Sequence, residues 1–172
     1  MDLFEQIEKT RHFGETFLIW LWFHSDVDDT QFELADGQMV SVTFDNELTL
    51  EAKLAEAERT RISGGAPASS EEARQGLRQG KVVVSAKLKV EKDQREWIFL
   101  LNAQTMDITG LRIPALLTKA EDEKLYERQF LIEEIDGLVR GLYDSFLRVR
   151  LDKKAWESET RLISAWINSS PN

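Results

Sequence analysis

Seven bases crowd into 22 residues of this chain: Arg74, Arg78, Lys81, Lys87, Lys89, Lys92 and Arg95, diluted only by Glu91 and Asp93. Lys81, Lys87 and Lys89 share one strand face by parity, and Arg74 and Arg78 stand one turn apart on a helix. Cations spaced in this way suit the regular phosphates of a nucleic-acid backbone. Affinity there comes from counterion release and carries little sequence information. The same lysines would also serve solubility and guard a sheet edge against pairing.

Other chemistry has less to build on. His12 and His24 are the only imidazoles, twelve residues apart in separate elements, with no HxxxH or HxE pattern around either. A nucleophile–histidine–acid triad would need tertiary coincidence. Asp26, Asp28 and Asp29 suggest a calcium loop, but counting from Asp26 no glycine stands sixth and no glutamate twelfth. Glu133, Glu134 and Asp136 flank an apolar helical stripe, where acids ordinarily face water. Gly64-Gly65 precedes no Gly-Lys-Ser/Thr, so it is not a phosphate loop, and no dinucleotide fingerprint occurs. The expectation is a chain with no catalytic residue, no metal site and no cofactor.

The 172 residues are 42% hydrophobic and 31% charged, enough apolar material for one core and too much for wholesale disorder. Cysteine is absent, which removes disulfides and thiolate metal sites and fits a reducing cytoplasm. The longest apolar run, Phe17 to Phe23, is seven residues, too short for a bilayer and without a basic leader. Net charge is −9, unevenly spread. Residues 1–66 hold 14 acids against 5 bases, residues 67–118 hold 6 against 8, and residues 119–172 hold 11 against 9. A polyanion would be repelled at long range, so contact with nucleic acid would have to run through the middle third.

The elements that must position these groups read as a single α+β domain over 1–172. Residues 1–24 give N-terminal helices, 31–114 an antiparallel meander with one inserted helix, and 119–168 C-terminal helices. Asp2 to Arg11 is a short helix ended by Gly14, and Glu15 to His24 reads as a buried helix, with a strand as the rival because of its aromatic content. Gln31 to Leu34 and Met39 to Phe44 are strands joined at Asp36-Gly37, and Asp45-Asn46 is a turn into a strand from Leu48 to Leu54. Arg59 to Ser63 is another short strand. Ser69 with Glu72 caps a helix over Ser70 to Arg78. Lys81 to Leu101 is a hairpin about the polar turn Glu91 to Gln94. Its first strand alternates apolar and basic, and the run Trp97 to Leu101 suggests burial on both faces. Met106 and Ile108 add a short strand.

Thr118 with Glu121 opens a long helix to about Arg150, with Leu131, Ile135, Leu138, Leu142, Phe146 and Val149 in one stripe. At 1.5 Å per residue it would reach roughly 45 Å, more than a domain of this size covers by itself. Gly137 and Gly141 permit close backbone approach, either for tight packing on the sheet or, with Leu138, Leu142 and Phe146 as the candidate homodimer interface, against a second chain. A last helix near Trp156 to Ile167 puts Leu162, Ile163 and Trp166 on one face.

The segments FLIWLWFHSD, EEARQGLRQGKVVVSAKL, REWIFLLNAQTMDITGLRIP and ERQFLIEEIDGLVRGLYDSFLRVR, in that order, resemble the RdgC recombination-associated proteins. The resemblance is nearer to short bacterial relatives that keep the C-terminal part of that family. It implies an α+β nucleoid protein that binds duplex DNA with little sequence preference, associates as a ring-shaped dimer and restrains the recombinase RecA. The Gly80-Lys81 strand and its neighbouring bases would then face DNA, through Arg74, Arg78, Lys81, Lys87, Lys89 and Arg95. The family's older exonuclease label finds no motif here, and the chain is short and acidic for such a ring. The alternative is a protein-interaction or assembly module in which the long helix docks on another chain without DNA.

Overall fold

The computed structural model describes residues 13–52 and 59–169. The expected helix over Asp2 to Arg11 and the residue His12 lie outside that range. Helix α1 spans Phe13–Val27, strand β1 Gln31–Glu33, β2 Met39–Ala52 and β3 Arg59–Ser63. A 3-10 turn at Pro67–Ser69 leads into α2, Glu71–Arg78, then β4, Lys81–Lys92, β5, Arg95–Asn102, and β6, Ile108–Arg112. Two helices close the described chain, α3 over Glu121–Leu151 and α4 over Lys153–Asn168. All pairings are antiparallel, in the order β1-β2-β4-β5-β6, with β3 beside β1 on the outer edge of β2. The α+β class, the antiparallel sheet and the long C-terminal helix are as the sequence indicates.

Alternation decides which sheet face is covered. Val42, Leu48, Leu50, Ala86, Leu88, Val90, Trp97, Phe99 and Leu101 are buried beneath the helices. Lys87, Lys89, Ile98 and Leu100 alternate with them onto a face that none of the described helices covers. The apolar run of β5 is thus half-buried, a correction to the expected two-sided burial. The hairpin turn is the two-residue Asp93-Gln94, with φ of 50° and 64°. Positive φ at both positions is the twist that suits right-handed strand pairs, and pairing runs to Lys92 opposite Arg95.

Two irregularities bend the sheet. Phe44 faces Leu88 while Leu48 faces Ala86, so Asp45, Asn46 and Glu47 oppose Lys87 alone. The expected turn at Asp45-Asn46 is instead a bulge in a continuous β2. Cross-strand pairing on both sides of it overrides the local turn preference of Asp and Asn. On the other strand, Thr49 faces Ser85 and Leu50 faces Val83, which leaves Val84 as an extra residue in β4.

Helix α1 is apolar almost all round and lies in the middle of the core, with Phe17, Leu18, Leu21 and Trp22 fully enclosed. Phe17 packs edge-on to Tyr143 and tilted against Phe146 of α3, at 5.2 and 5.6 Å between ring centroids. Gly14 sits in the first described turn of α1. Ser70, not Ser69, caps α2 by accepting from the Ala73 N–H at 3.1 Å. In α3, Leu131, Ile135, Leu138, Leu142 and Phe146 are buried, and the Trp97 indole donates to the Leu131 carbonyl at 3.0 Å. Helix α4 packs on the other three, through Ile163 and Trp166; Leu162 points to solvent.

Candidate functional site

The seven bases do not form one surface. Arg74 is 1% exposed. Its guanidinium lies 3.8 Å from the Trp166 ring centroid and 6.0 Å from that of Trp22. It donates to Asp26 at 3.0 Å and to the Trp166 carbonyl, and Asp26 also accepts from the Trp166 indole at 2.7 Å. Burial lowers the Arg74 pKa, and Asp26 opposes that shift. Arg78 donates to the carbonyls of Ile167 and Ser169, at 3.0 and 2.8 Å, and to Glu71. The one-turn spacing of these arginines therefore serves the carboxyl end of α4. Two cations meet the negative end of the helix dipole, where the Trp166 carbonyl also accepts from the Ser169 N–H at 3.1 Å. Phosphate cannot reach Arg74, which corrects its expected place on a DNA-facing surface.

Lys81 is a second correction. The extra residue Val84 reverses strand parity, so Lys81, opposite Ala52, joins the covered side with Val83 and Leu50. Its ammonium donates to the Thr60 hydroxyl at 2.9 Å, and its stem lies beside α2 at Gly76. It does not share a face with Lys87 and Lys89.

Arg95 and Lys92 belong to the hairpin's tie to α3. Both guanidinium arms of Arg95 reach Glu134, at 2.6 and 2.9 Å, and Lys92 joins them at 3.1 Å. Arg95 also lies over Trp97 and Phe130, 5.6 and 5.9 Å from the ring centroids.

Lys87 and Lys89 remain on the uncovered face, interleaved with acids. Lys87 sits 3.5 Å from Asp45, and Lys89 sits 2.6 Å from Glu91 and 3.5 Å from Glu96. The hydrogen bond to Glu91 raises the Lys89 pKa. Arg59 and Arg61 carry the same pattern, with Glu51 and Glu47 at 3.0 and 2.8 Å. Exposed pairs of this kind are worth about 0–1 kcal/mol each, so they are loosely held, but they leave the face close to neutral.

His24 lies between two carboxylates, Asp28 at Nδ1 and Glu159 at Nε2, with no hydroxyl or amine nucleophile among its partners. Among the described residues, no three or more His, Asp or Glu side chains are arranged to hold a metal ion.

The expected dimer face needs the third correction. Leu138, Leu142 and Phe146 are buried within their own fold, under α1 and the sheet, and offer nothing to a second chain. The unpartnered apolar surface lies further toward the amino end of α3. Leu117, Leu125, Tyr126, Phe130 and Ile132 are 87, 69, 73, 56 and 49% exposed. They are five of the nine large hydrophobic residues exposed in the described chain. The signal for them was in the stripe itself. Continued backward from Leu131 at helical spacing, the core-facing positions become Arg128, Glu127 and Lys124. The core contact therefore stops at Leu131, and about three turns of α3 run past it. A strap over 113–120 ties to this part of the helix. The Glu127 carboxylate accepts from the N–H groups of Leu117 and Thr118, at 2.7 and 3.0 Å, which lowers its pKa.

No family model matches this chain, and no curated protein matches it.

Proposed function

We propose that this protein is an interaction module that engages another protein through the amino-terminal turns of α3. The observation that carries this reading is the exposure of Leu125, Tyr126, Phe130 and Ile132 on turns of α3 that run beyond its own core, with Leu117 exposed on the strap before them. Tyr126 and Phe130 stand one turn apart on one side of the helix and Leu125 and Ile132 two turns apart on another, and exposed apolar patches of that kind mark interaction sites. Among the described residues no helix is long and apolar enough to cross a membrane. Residues 121–136 hold seven acids against two bases, which opposes docking on an anionic lipid surface.

The test is a photo-crosslinking residue, benzoylphenylalanine, placed at Tyr126 in cells that produce the full chain. A discrete adduct with one protein, absent when the same residue replaces Thr109 on β6, is the expected result. Adducts no different from those at Thr109 would refute the reading.

A second reading, association with DNA of little sequence preference in the bacterial nucleoid, rests on the family resemblance. It is favoured by one observation, the placement of Lys87, Lys89, Arg59 and Arg61 on the same uncovered sheet face. The expected result is binding to a random-sequence duplex at about 10⁻⁴ to 10⁻⁶ M near physiological salt, tightening steeply as salt falls. The pair Lys87→Ala with Lys89→Ala should flatten that salt slope. No binding at low salt removes DNA from consideration.

A further inference from the structure

We propose that the groove between α3 and the β1–β2 turn receives a basic amphipathic helix from a partner chain. This inference rests on the interaction-module reading and names the partner's chemistry. The groove is 590 Å³. Ala35 and Phe130 give it exposed apolar walls above the buried Leu34 and Leu138, and Gly137 leaves its floor open, since a Cβ there would meet nothing within 4 Å. Tyr126, Phe130, Glu133, Gly137, Gly141 and Asp144 recur every three or four residues, so they lie along one side of α3. From Tyr126 to Asp144 that side is roughly 27 Å long, the length of an 18-residue helix. Tyr126 and Phe130 make the amino end of that side apolar, the glycines keep its middle low, and a groove along one side of a helix accepts a second helix laid in it.

Charge selects among helices. Asp36, Glu133 and Asp144 rim the groove, and among the described residues none has a cation within ion-pair distance. The rim's own bases are already taken, Lys92 by Glu134 at 3.1 Å and Arg140 by Asp136 at 2.9 Å. Hydrogen bonds from the Gln38 backbone and side chain also lower the pKa of Asp36, keeping it an anion. A second copy of this chain would bring the acidic residues 121–136 against themselves, and like charges face to face oppose association. A helix with leucines on one side and lysines on the other satisfies both the walls and the rim.

The experiment uses the full chain and a fluorescein-labelled 18-residue peptide of leucine and lysine spaced at i, i+3 and i+4. Two controls accompany it, a scrambled sequence of the same composition and a version with every lysine replaced by glutamate. The expected result is binding at least tenfold tighter than either control. Gly137→Leu fills the open floor without removing any contact of the fold, so it should weaken binding at least tenfold while leaving the melting temperature no lower. Asp36→Asn with Asp144→Asn should weaken binding and flatten its salt dependence. Equal binding of the scrambled peptide, or no effect of Gly137→Leu, overturns the proposal. So does a dimer in light scattering that Gly137→Leu abolishes, which would make the occupant a second copy. An adduct at Tyr126 with one other protein, together with no peptide binding, overturns the basic helix and leaves the module. No adduct at Tyr126 removes both.

Discussion

Gly14→Ala should cost about 3 kcal/mol, the upper end of what one added methyl ordinarily costs a packed core. A Cβ at this position would stand 1.6 Å from the Ala103 carbonyl oxygen and 2.7 Å from its carbon. The obstacle is backbone. Ala103 follows β5 and is fixed by its own N–H, which donates to the Val84 carbonyl at 2.8 Å. Neither partner can rotate aside, so α1 must shift bodily, and Phe17, Leu18 and Leu21 shift with it. For a chain of this size the loss corresponds to a fall in melting temperature of roughly 6–12 °C. Gly137→Ala is the matched control. It also replaces a helix glycine, but the new methyl meets empty space. The better helix propensity of alanine should then stabilise the protein by about 0.8–1.0 kcal/mol. Opposite signs from two helix glycines, read by thermal and urea unfolding, are the signature. A Gly14→Ala protein within 1 kcal/mol of wild type, roughly, would mean that α1 does not cross β5 this closely.

Asp26→Ala should be the more damaging of the two ways to break the buried pair with Arg74. It leaves a guanidinium at 1% exposure without its counter-charge, a loss of about 3–5 kcal/mol. Asp26 keeps a 27% exposed side chain, so water softens the effect and the lower end of that range is expected. Arg74→Met should cost less. It keeps apolar volume between Trp22 and Trp166, and the abandoned carboxylate can turn to solvent. Adding Arg74→Met to Asp26→Ala should therefore recover stability, since it removes the uncompensated charge. Arg74→Lys should not substitute for arginine, because an ammonium cannot lie flat on Trp166 while also reaching Asp26 and the Trp166 carbonyl. Unfolding free energies for the two single variants and the double variant check this cycle. If Arg74→Met costs as much as Asp26→Ala, Arg74 matters here for its shape and not for its charge.

Much of the fold was legible because periodicity is local. The hairpin, the long C-terminal helix and its apolar stripe from Leu131 to Phe146 follow from spacing alone, but the helix start does not: Ala120, not Thr118, is its N-cap. What failed depends on pairings between distant residues. Strand parity placed Lys81 with Lys87, but one extra residue at Val84 reverses parity, and no composition signal marks a bulge. The i, i+4 spacing of Arg74 and Arg78 was read correctly as one helix side. Their partners are the carbonyls of residues 166 to 169, about ninety positions away, so spacing could not tell a phosphate site from a helix cap. Asp45-Asn46 has turn chemistry, yet it is held in β2 by ladders on either side of it. The candidate docking surface was nearer to hand, since the switch from Leu131 back to Arg128, Glu127 and Lys124 is visible in the sequence.

The Arg74 enclosure also sets an order of events for a chain made from one end. Asp26, Arg74 and Trp166 belong to α1, α2 and α4, and the knot they form closes only when the last of these has left the ribosome. The hairpin can pair long before that, because its strands are separated by two residues. Until α4 arrives, the indole of Trp22 and a bare guanidinium stand at an open edge of the core. A nascent chain of this protein therefore carries the Arg74 guanidinium in water until α4 is made and desolvates it only then, when aromatic rings and a carboxylate are both in place to receive it.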